Sequence, residues 1–340
     1  MQSADDPHSD PHRKLATPTK DCYAAGAWPF GAPLAIQGSV GLQGSAKGES
    51  RMPLDYYLNI AASGLLTGLV YGLAALGLSV IFGVVRVVNF AHGEMMVAGM
   101  YGAVLLAGVI GLDPILAAPI VAAVLFAFGW VLQRGLINRF VERPEHMQFI
   151  LLLGIATIIL NAMLMLFGPD SRNVMVPYSF DTVEVGPLLL DAVRLRAGAG
   201  AIVVTAALFA FFRFSRTGKA IRACADNPLG ARVVGLNIDG LYALTFGIGA
   251  AVVGIAGALM TLLVDSRPQL APEYTLLSFI IVIVGGLGSL PGALLGGVLI
   301  GLSEAMAGFL LDPSLKSLFS YGVLIVVLLL RPQGLLGKRS

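Results

Sequence analysis

Along the chain, apolar stretches of membrane-crossing length alternate with short polar connections. Leu58 to Val85 is apolar without a single charge, and Leu241 to Val264 and Leu276 to Leu302 are similar. Each exceeds the ~20 apolar residues that cross a bilayer core as a helix. The apolar segments fall at roughly 56–82, 88–110, 115–133, 148–168, 199–214, 241–264, 274–288, 291–311 and 317–330. This pattern predicts an all-α, polytopic transmembrane helical bundle of about eight or nine crossings. The 274–311 stretch is too long for one crossing, and "GGLGSLPG" (Gly285 to Gly292) interrupts it. Two crossings joined by a tight turn, or one broken helix, both fit. Irregular backbone at that depth is tolerated only where it is buried in protein or lines a cavity.

Composition agrees with the pattern. Of 340 residues, 56% are hydrophobic and only 12% charged, against about 25% charged in soluble domains. The 42 glycines suit helices that approach closely in a membrane, with small-xxx-small spacings at Gly68/Gly72, Gly292/Gly296 and Gly297/Gly301. Residues 1–52 do not share this character. "MQSADDPHSDPHRKLATPTKD" is polar and Pro-rich, and the next stretch is broken by Pro29 and Pro33. No basic leader with an unbroken apolar run opens the chain. The segment reads as a disordered extension or as sequence upstream of a true start at Met52, with the transmembrane domain at 53–340.

Charge in the connections orients the crossings. Arg134, Arg139 and Arg143 lie in one connection; Arg213, Arg216, Lys219, Arg222 and Arg232 lie in another; the tail carries Arg331, Lys338 and Arg339. An excess of Lys and Arg marks cytoplasmic loops. The 169–197 connection mixes four acidic side chains with three arginines and suits the outer face. Nine crossings then put the N-terminus outside and the C-terminus inside. Both 83–90 and the "GGLGSLPG" break fall on the inner side.

The connection from 215 to 240 is more than a linker. Asn227 followed by Pro228 is a strong helix start, and Gly235 is placed to end that short helix. "TGKAIRACAD" ahead of it has the composition of another helical piece. Compact basic helices with Ala and Gly on their surface suit docking in a partner's groove. A solvated loop against lipid headgroups would carry the same charges.

Several chemistries are excluded. No G-x-x-x-x-G-K-[ST] phosphate loop is present; "RTGKAI" and "GLLGKRS" lack the spacing or the hydroxyl residue, so any ATP hydrolysis belongs to another chain. "HGEMM" is not the H-E-x-x-H of a zinc protease, and no G-x-S-x-G elbow occurs. Cys22 and Cys224 lie far apart and suggest neither a disulfide nor a metal cluster. We expect no catalytic residues, no metal and no cofactor on this chain.

His92 and Glu94 therefore need another explanation, since ionisable groups at membrane depth cost about 2.5–3.5 kcal/mol each. One reading places them just inside the cytoplasmic interface at a helix start, with Asn89 as N-cap and Glu94 favoured by the helix dipole. Another makes Asn89, His92 and Glu94 part of an inner gate, or a contact for substrate amino and carboxylate groups. Gly285, Gly286, Gly288 and Pro291, at the break, are further gate candidates. Glu304, toward the outer half of its crossing, is tied to Ser303 or a neighbouring helix, or else faces the pathway.

Taken together, "NFAHGEMMVAGMYGA", "GKAIRACADNPLGARVVGLNID", "IVGGLGSLPGALLGGVLIGLSEA" and the tail "LRPQGLLG" resemble the permease subunits of high-affinity branched-chain amino acid ABC importers, over about residues 53–337. The resemblance implies a second, homologous permease subunit, two cytoplasmic ATPase subunits that bind ATP and Mg, and a periplasmic substrate-binding protein. It also implies that Thr217–Gly240 is the coupling loop, with Arg222, Ala223, Asp226, Ala231, Gly235 and Asn237 at its recurrent positions; Arg216, Gly218, Lys219, Asn227 and Pro228 belong to the same surface. Localisation in a bacterial inner membrane follows. Two alternatives remain: the same machinery carrying urea, short amides or other amino acids, and an ion-coupled secondary transporter. The latter would be expected to show paired broken helices, and the sequence displays only one break.

Overall fold

The computed structural model describes residues 54–337 apart from 187, 313 and 314. The N-terminal extension, Lys338 and Arg339 thus lie outside the described residues. Helix α1 (Leu54–Val85) is an unbroken 32-residue rod, about 48 Å long at 1.5 Å per residue. Helix α2 (His92–Ile110) is ended by Gly111 at φ 66, a left-handed turn that glycine adopts freely. Asp113 then caps α3 (Pro114–Gly135) by accepting from the Ile115 amide at 2.8 Å. After Pro144 comes α4 (Glu145–Phe167).

The connection that follows is more structured than its mixed charges imply. It pairs β1 (Thr182–Val185) with β2 (Leu188–Asp191) as an antiparallel hairpin, Thr182 opposite Asp191. Asp191 accepts from the Val193 amide and so starts α5 (Ala192–Phe214) seven residues before the apolar run does. Two short helices follow, α6 (Arg216–Asp226) and α7 (Pro228–Val233). Then come α8 (Ile238–Met260), α9 (Ala271–Gly285), α10 (Leu290–Leu310) and α11 (Lys316–Leu330).

Among the described residues, eight helices are long and apolar enough to cross a membrane; α11, at 15 residues, is apolar but shorter. Together the nine apolar helices run alternately between two ends of the bundle. One end gathers the basic connections: Arg86 reaches the Ala225 carbonyl, and Asn138 donates to the Asp239 carbonyl. The far end gathers the hairpin and its neighbours. There the Leu189 amide donates to Asn59, Tyr178 donates to Asp113 at 2.7 Å, and Arg172 bridges Ser266. Burial and the Asp113 carboxylate push the Tyr178 hydroxyl up to about 12, so it holds its proton and remains a donor. The first described residues start at the far end and the tail finishes at the basic end, the parity that charge alone predicted.

The ambiguity at 274–311 is resolved as two antiparallel helices. Gly286 (φ 107) and Gly288 (φ 76) make the reversal, and Ser289 caps α10 through the Gly292 amide. The tail closes over this turn: the Leu335 and Leu336 amides donate to the Val284 and Gly285 carbonyls at 2.8 and 2.9 Å. Those carbonyls end α9 and would otherwise lack partners.

Helices α1 and α8 form the buried centre. Glycine spacing explains how. Gly64, Gly68 and Gly72 of α1 lie against Gly297 and Gly301 of α10, so close that a Cβ on Gly68 would sit 2.8 Å from the Val298 Cα. Gly77 meets Gly249 of α8, and Gly99 of α2 meets Gly254. Without a hydrophobic drive between helices in lipid, this close approach supplies the packing. Large side chains left exposed on the outer helices, such as Val124, Ile158 and Leu329, face the bilayer or a partner.

Candidate functional site

The end of α1 does not lead straight into α2. Arg86 turns out of the helix at φ 58, and residues 86–91 are irregular. This segment runs back into the bundle, because His92 Nε2 lies 3.0 Å from the carbonyl of Ala74, eleven residues and about 16 Å before the end of α1. Asn89, His92 and Glu94 thus start α2 near mid-depth, deeper than the interface position expected. The apolar pattern predicts a short connection on the inner side at 83–90; in the structure residues 86–91 run back into the bundle. This irregular backbone is tolerated because Val87, Asn89 and Ala91 are buried in protein.

The α2 start is satisfied from within the chain. Ala91, not Asn89, is the N-cap residue, and it makes no side-chain cap. Asn89 instead accepts from the Ala91 amide at 3.1 Å, one step earlier. The Gly93 amide donates to Thr275 Oγ1 at 2.8 Å, and that hydroxyl donates to Glu94 at 3.3 Å. Glu94 also accepts from its own backbone amide. A helix start filled by its own carboxylate and by α9 is a poor site for a substrate carboxylate. Glu94→Gln retains an acceptor there and is expected to leave membrane abundance near wild type. Glu94→Ala, stranding Thr275 and the helix amides, is expected to cost about 1–3 kcal/mol of stability, measurable by thermal unfolding of the solubilised protein. Lower uptake by the Gln variant at normal abundance would put the carboxylate on the pathway instead.

A cavity of about 1500 Å³ opens at the basic end. Its mouth carries Arg86, Glu145, His146, Arg222 and Asp226, and its walls are mainly apolar, with Val84, Val88, Phe90, Phe149 and Phe212 interspersed by Ser79, Gln148, Ser289 and Gln333. Gly288 and Pro291 line it as well. Gly285 and Gly286 lie against the α10 start and the tail, and neither they nor Asn89, His92 and Glu94 reach its surface. Glu304 is elsewhere, six residues before the far end of α10. It accepts from Ser320 of α11 at 2.6 Å and bonds Tyr71 of α1, while Ser303 turns to its own helix carbonyl. The tie to Ser303 is therefore replaced by a tie between helices.

Beside the cavity mouth, α6 and α7 form a platform, each started by the cap its sequence supplies. Ser215 accepts from Gly218, Asn227 from Gly230 and Asn237 from Gly240. Gly235 ends α7 at φ 85 with open space around it. Arg216, Lys219, Arg222, Ala223, Asp226, Asn227, Gly235 and Asn237 are exposed, with Pro228 partly so. Two expected surface residues are not on the surface. Gly218 packs on the end of α5, where a Cβ would lie 2.7 Å from the Phe212 Cα, and Ala231 is buried with Cys224 and Ile238. Burial pushes the Cys224 thiol up, leaving it a packing group. In exchange the platform presents Leu229, Val233 and Val234, 73%, 81% and 76% exposed. Their signal in the sequence is a Val-Val pair within a basic loop. Among the described residues no cluster of His, Cys, Asp and Glu could hold a metal.

Residues 60–328 match the family described as branched-chain amino acid transport system / permease component. The chain is 30% identical over 298 residues to the high-affinity branched-chain amino acid transport system permease protein LivH of Salmonella typhimurium, covering 83% of this chain and 96% of that one. It is 30% identical over 303 residues to BraD of Pseudomonas aeruginosa, covering 84% and 98%. A probable LivH of Methanocaldococcus jannaschii is 27% identical over 282 residues, covering 78% and 88%. Motifs, helix order and these matches cover the same stretch, and the chain belongs to the branched-chain amino acid permease component family.

Proposed function

We propose that this chain is the membrane-spanning permease subunit of an ATP-driven importer for branched-chain amino acids in a bacterial inner membrane. The basic end faces the cytoplasm, by the excess of Arg and Lys there. Energy comes from separate ATPase subunits that hold ATP and Mg; this chain contributes no catalytic group and no cofactor. A second permease subunit completes the pathway, and a periplasmic binding protein delivers substrate at the far end. The observation that carries the reading is the platform of α6 and α7: capped, rigid, exposed and apolar at its tip, beside the mouth of a large cavity. Two short helices wedged between α5 and α8 transmit a push from the ATPase into the bundle, because their caps and their burial of Ile221, Cys224 and Ala231 make them move as one piece with their neighbours.

The test is uptake of labelled leucine by cells with and without the chain, against excess isoleucine, valine, an aromatic amino acid, urea and a short amide. Uptake that depends on the chain and is inhibited only by the branched amino acids is expected. Unchanged leucine uptake with a fall in urea or amide uptake would overturn the cargo.

A further inference from the structure

One wall of the cavity carries a cluster of rings from three different segments. Phe90, on the irregular segment before α2, meets Phe149 of α4 edge-on with ring centroids 4.6 Å apart, and meets Phe279 of α9 at 5.3 Å. Phe90 and Phe149 both line the cavity. Phe279 lies one turn nearer the basic end than Thr275, which holds the buried start of α2. Phe149 is 41% exposed on the cavity side, and Phe90 and Phe279 stand between it and the buried start of α2.

Two of the three supports for these rings are built differently from the packed helices at the centre. Residues 86–91 lie outside any helix; although Val87, Asn89 and Ala91 are buried, the segment is held by side-chain packing and not by a hydrogen-bond ladder. Helix α4 buries only Leu152, Ile155, Ala156 and Met163. The segment also begins on a strained residue. A non-glycine residue at φ 58 persists only when its surroundings hold it there, and the Arg86 guanidinium makes a long contact, 3.5 Å, to the Ala225 carbonyl in the last turn of α6.

We propose that Phe90, Phe149 and Phe279 form the inner gate of the translocation path, and that Arg86 is the positioning residue that ties this gate to α6. The inference rests on the transport reading above. Displacement of α6 draws Arg86 with it, and Phe90, four residues along an unladdered segment, leaves the face of Phe149. A dewetted ring of aromatic side chains excludes water and a zwitterion while shut.

The test uses the whole complex in proteoliposomes. Without ATP, Phe149→Ala and Phe90→Ala are expected to raise efflux of preloaded labelled leucine about tenfold over wild type, with Phe149→Leu between, because a smaller ring set no longer excludes water. A second readout is independent of cargo. With Cys22 and Cys224 replaced by serine, Ser278→Cys, buried on α9 beside the gate, is expected to resist a membrane-impermeant maleimide and to label once Phe149→Ala or Phe149→Leu is added. Arg86→Gly keeps the backbone geometry and loses the contact, so ATP hydrolysis is expected to continue while uptake falls severalfold; Arg86→Lys should recover part of it. Phe variants that reach wild-type abundance yet leave both efflux and labelling unchanged would overturn the gate. Normal coupling in Arg86→Gly would overturn the link. Wild-type vesicles that carry no leucine would sink the cargo reading alone, and the labelling would still decide the gate.

Discussion

Gly93→Val is expected to lower the apparent Tm of the solubilised protein by about 6 °C or more and to deplete it from the membrane. A Cβ at this position would lie 2.5 Å from both the amide nitrogen and the Oγ1 of Thr275, and closer still to the Ala271 carbonyl. These are largely backbone atoms of α9, so no rotamer change makes room. Overpacking costs about 1–3 kcal/mol in ordinary cores, and more where neighbours cannot yield. Separating α2 from α9 would also break the Gly93–Thr275 bond and strand the Glu94 contact that depends on it, adding about 1 kcal/mol. At about 2–4 °C per kcal/mol for chains of 150–250 residues, the fall should be plain in a thermal scan. A Gly93→Val protein with wild-type abundance and Tm would mean that the α2–α9 crossing is looser than drawn.

The second large effect concerns function rather than stability. Val233→Glu combined with Val234→Glu is expected to abolish recovery of the ATPase subunit with the solubilised permease and to cut uptake at least about tenfold, at normal membrane abundance. Both side chains point away from this protein, 81% and 76% exposed, and such surface changes usually stay within about 0.5 kcal/mol in stability. Buried in a partner's groove, however, a Val side chain taken out of water contributes about 1.5–3 kcal/mol; two carboxylates there add an unpaired-charge cost. Recovery of the ATPase at wild-type levels would show that the apolar tip is not the docking surface. Gly235→Trp makes a weaker test, since φ 85 strains any side chain there and mixes folding with docking.

How much of this was legible in advance follows the physics of each feature. The bundle, the order of its crossings and the platform helices were written in local signals. Apolar run length sets a crossing, Asn227-Pro228 and Gly235 bound α7, and basic connections mark one side. The hairpin at 182–191 was not foreseen because its strands are four residues each and their pairing is a contact between segments. The early start of α5 was hidden by Arg194 and Arg196, which read as loop charges until Asp191 is seen to cap the helix. The resemblance to the permease family implies that Gly218 and Ala231 belong to the coupling surface, yet α5 and α8 cover them.

The re-entrant segment is the clearest case. "VRVVN" contains no Gly or Pro, and its β-branched residues give no sign of a break, so α1 and α2 were separated only by a short gap. What makes the segment dive is tertiary: the mid-depth carbonyl of Ala74 receives His92, and Thr275 receives the first turn of α2. The sequence by itself determined that this is a membrane-spanning helical protein, which connections face the same side, and where the platform helices begin and end, since these depend on run length, net charge and capping within a few residues. Only the tertiary structure decided the depth of His92 and Glu94, the meeting of three rings beside the cavity and the exposure of Val233 and Val234. Each depends on contacts between residues tens to hundreds of positions apart, where no local rule reaches.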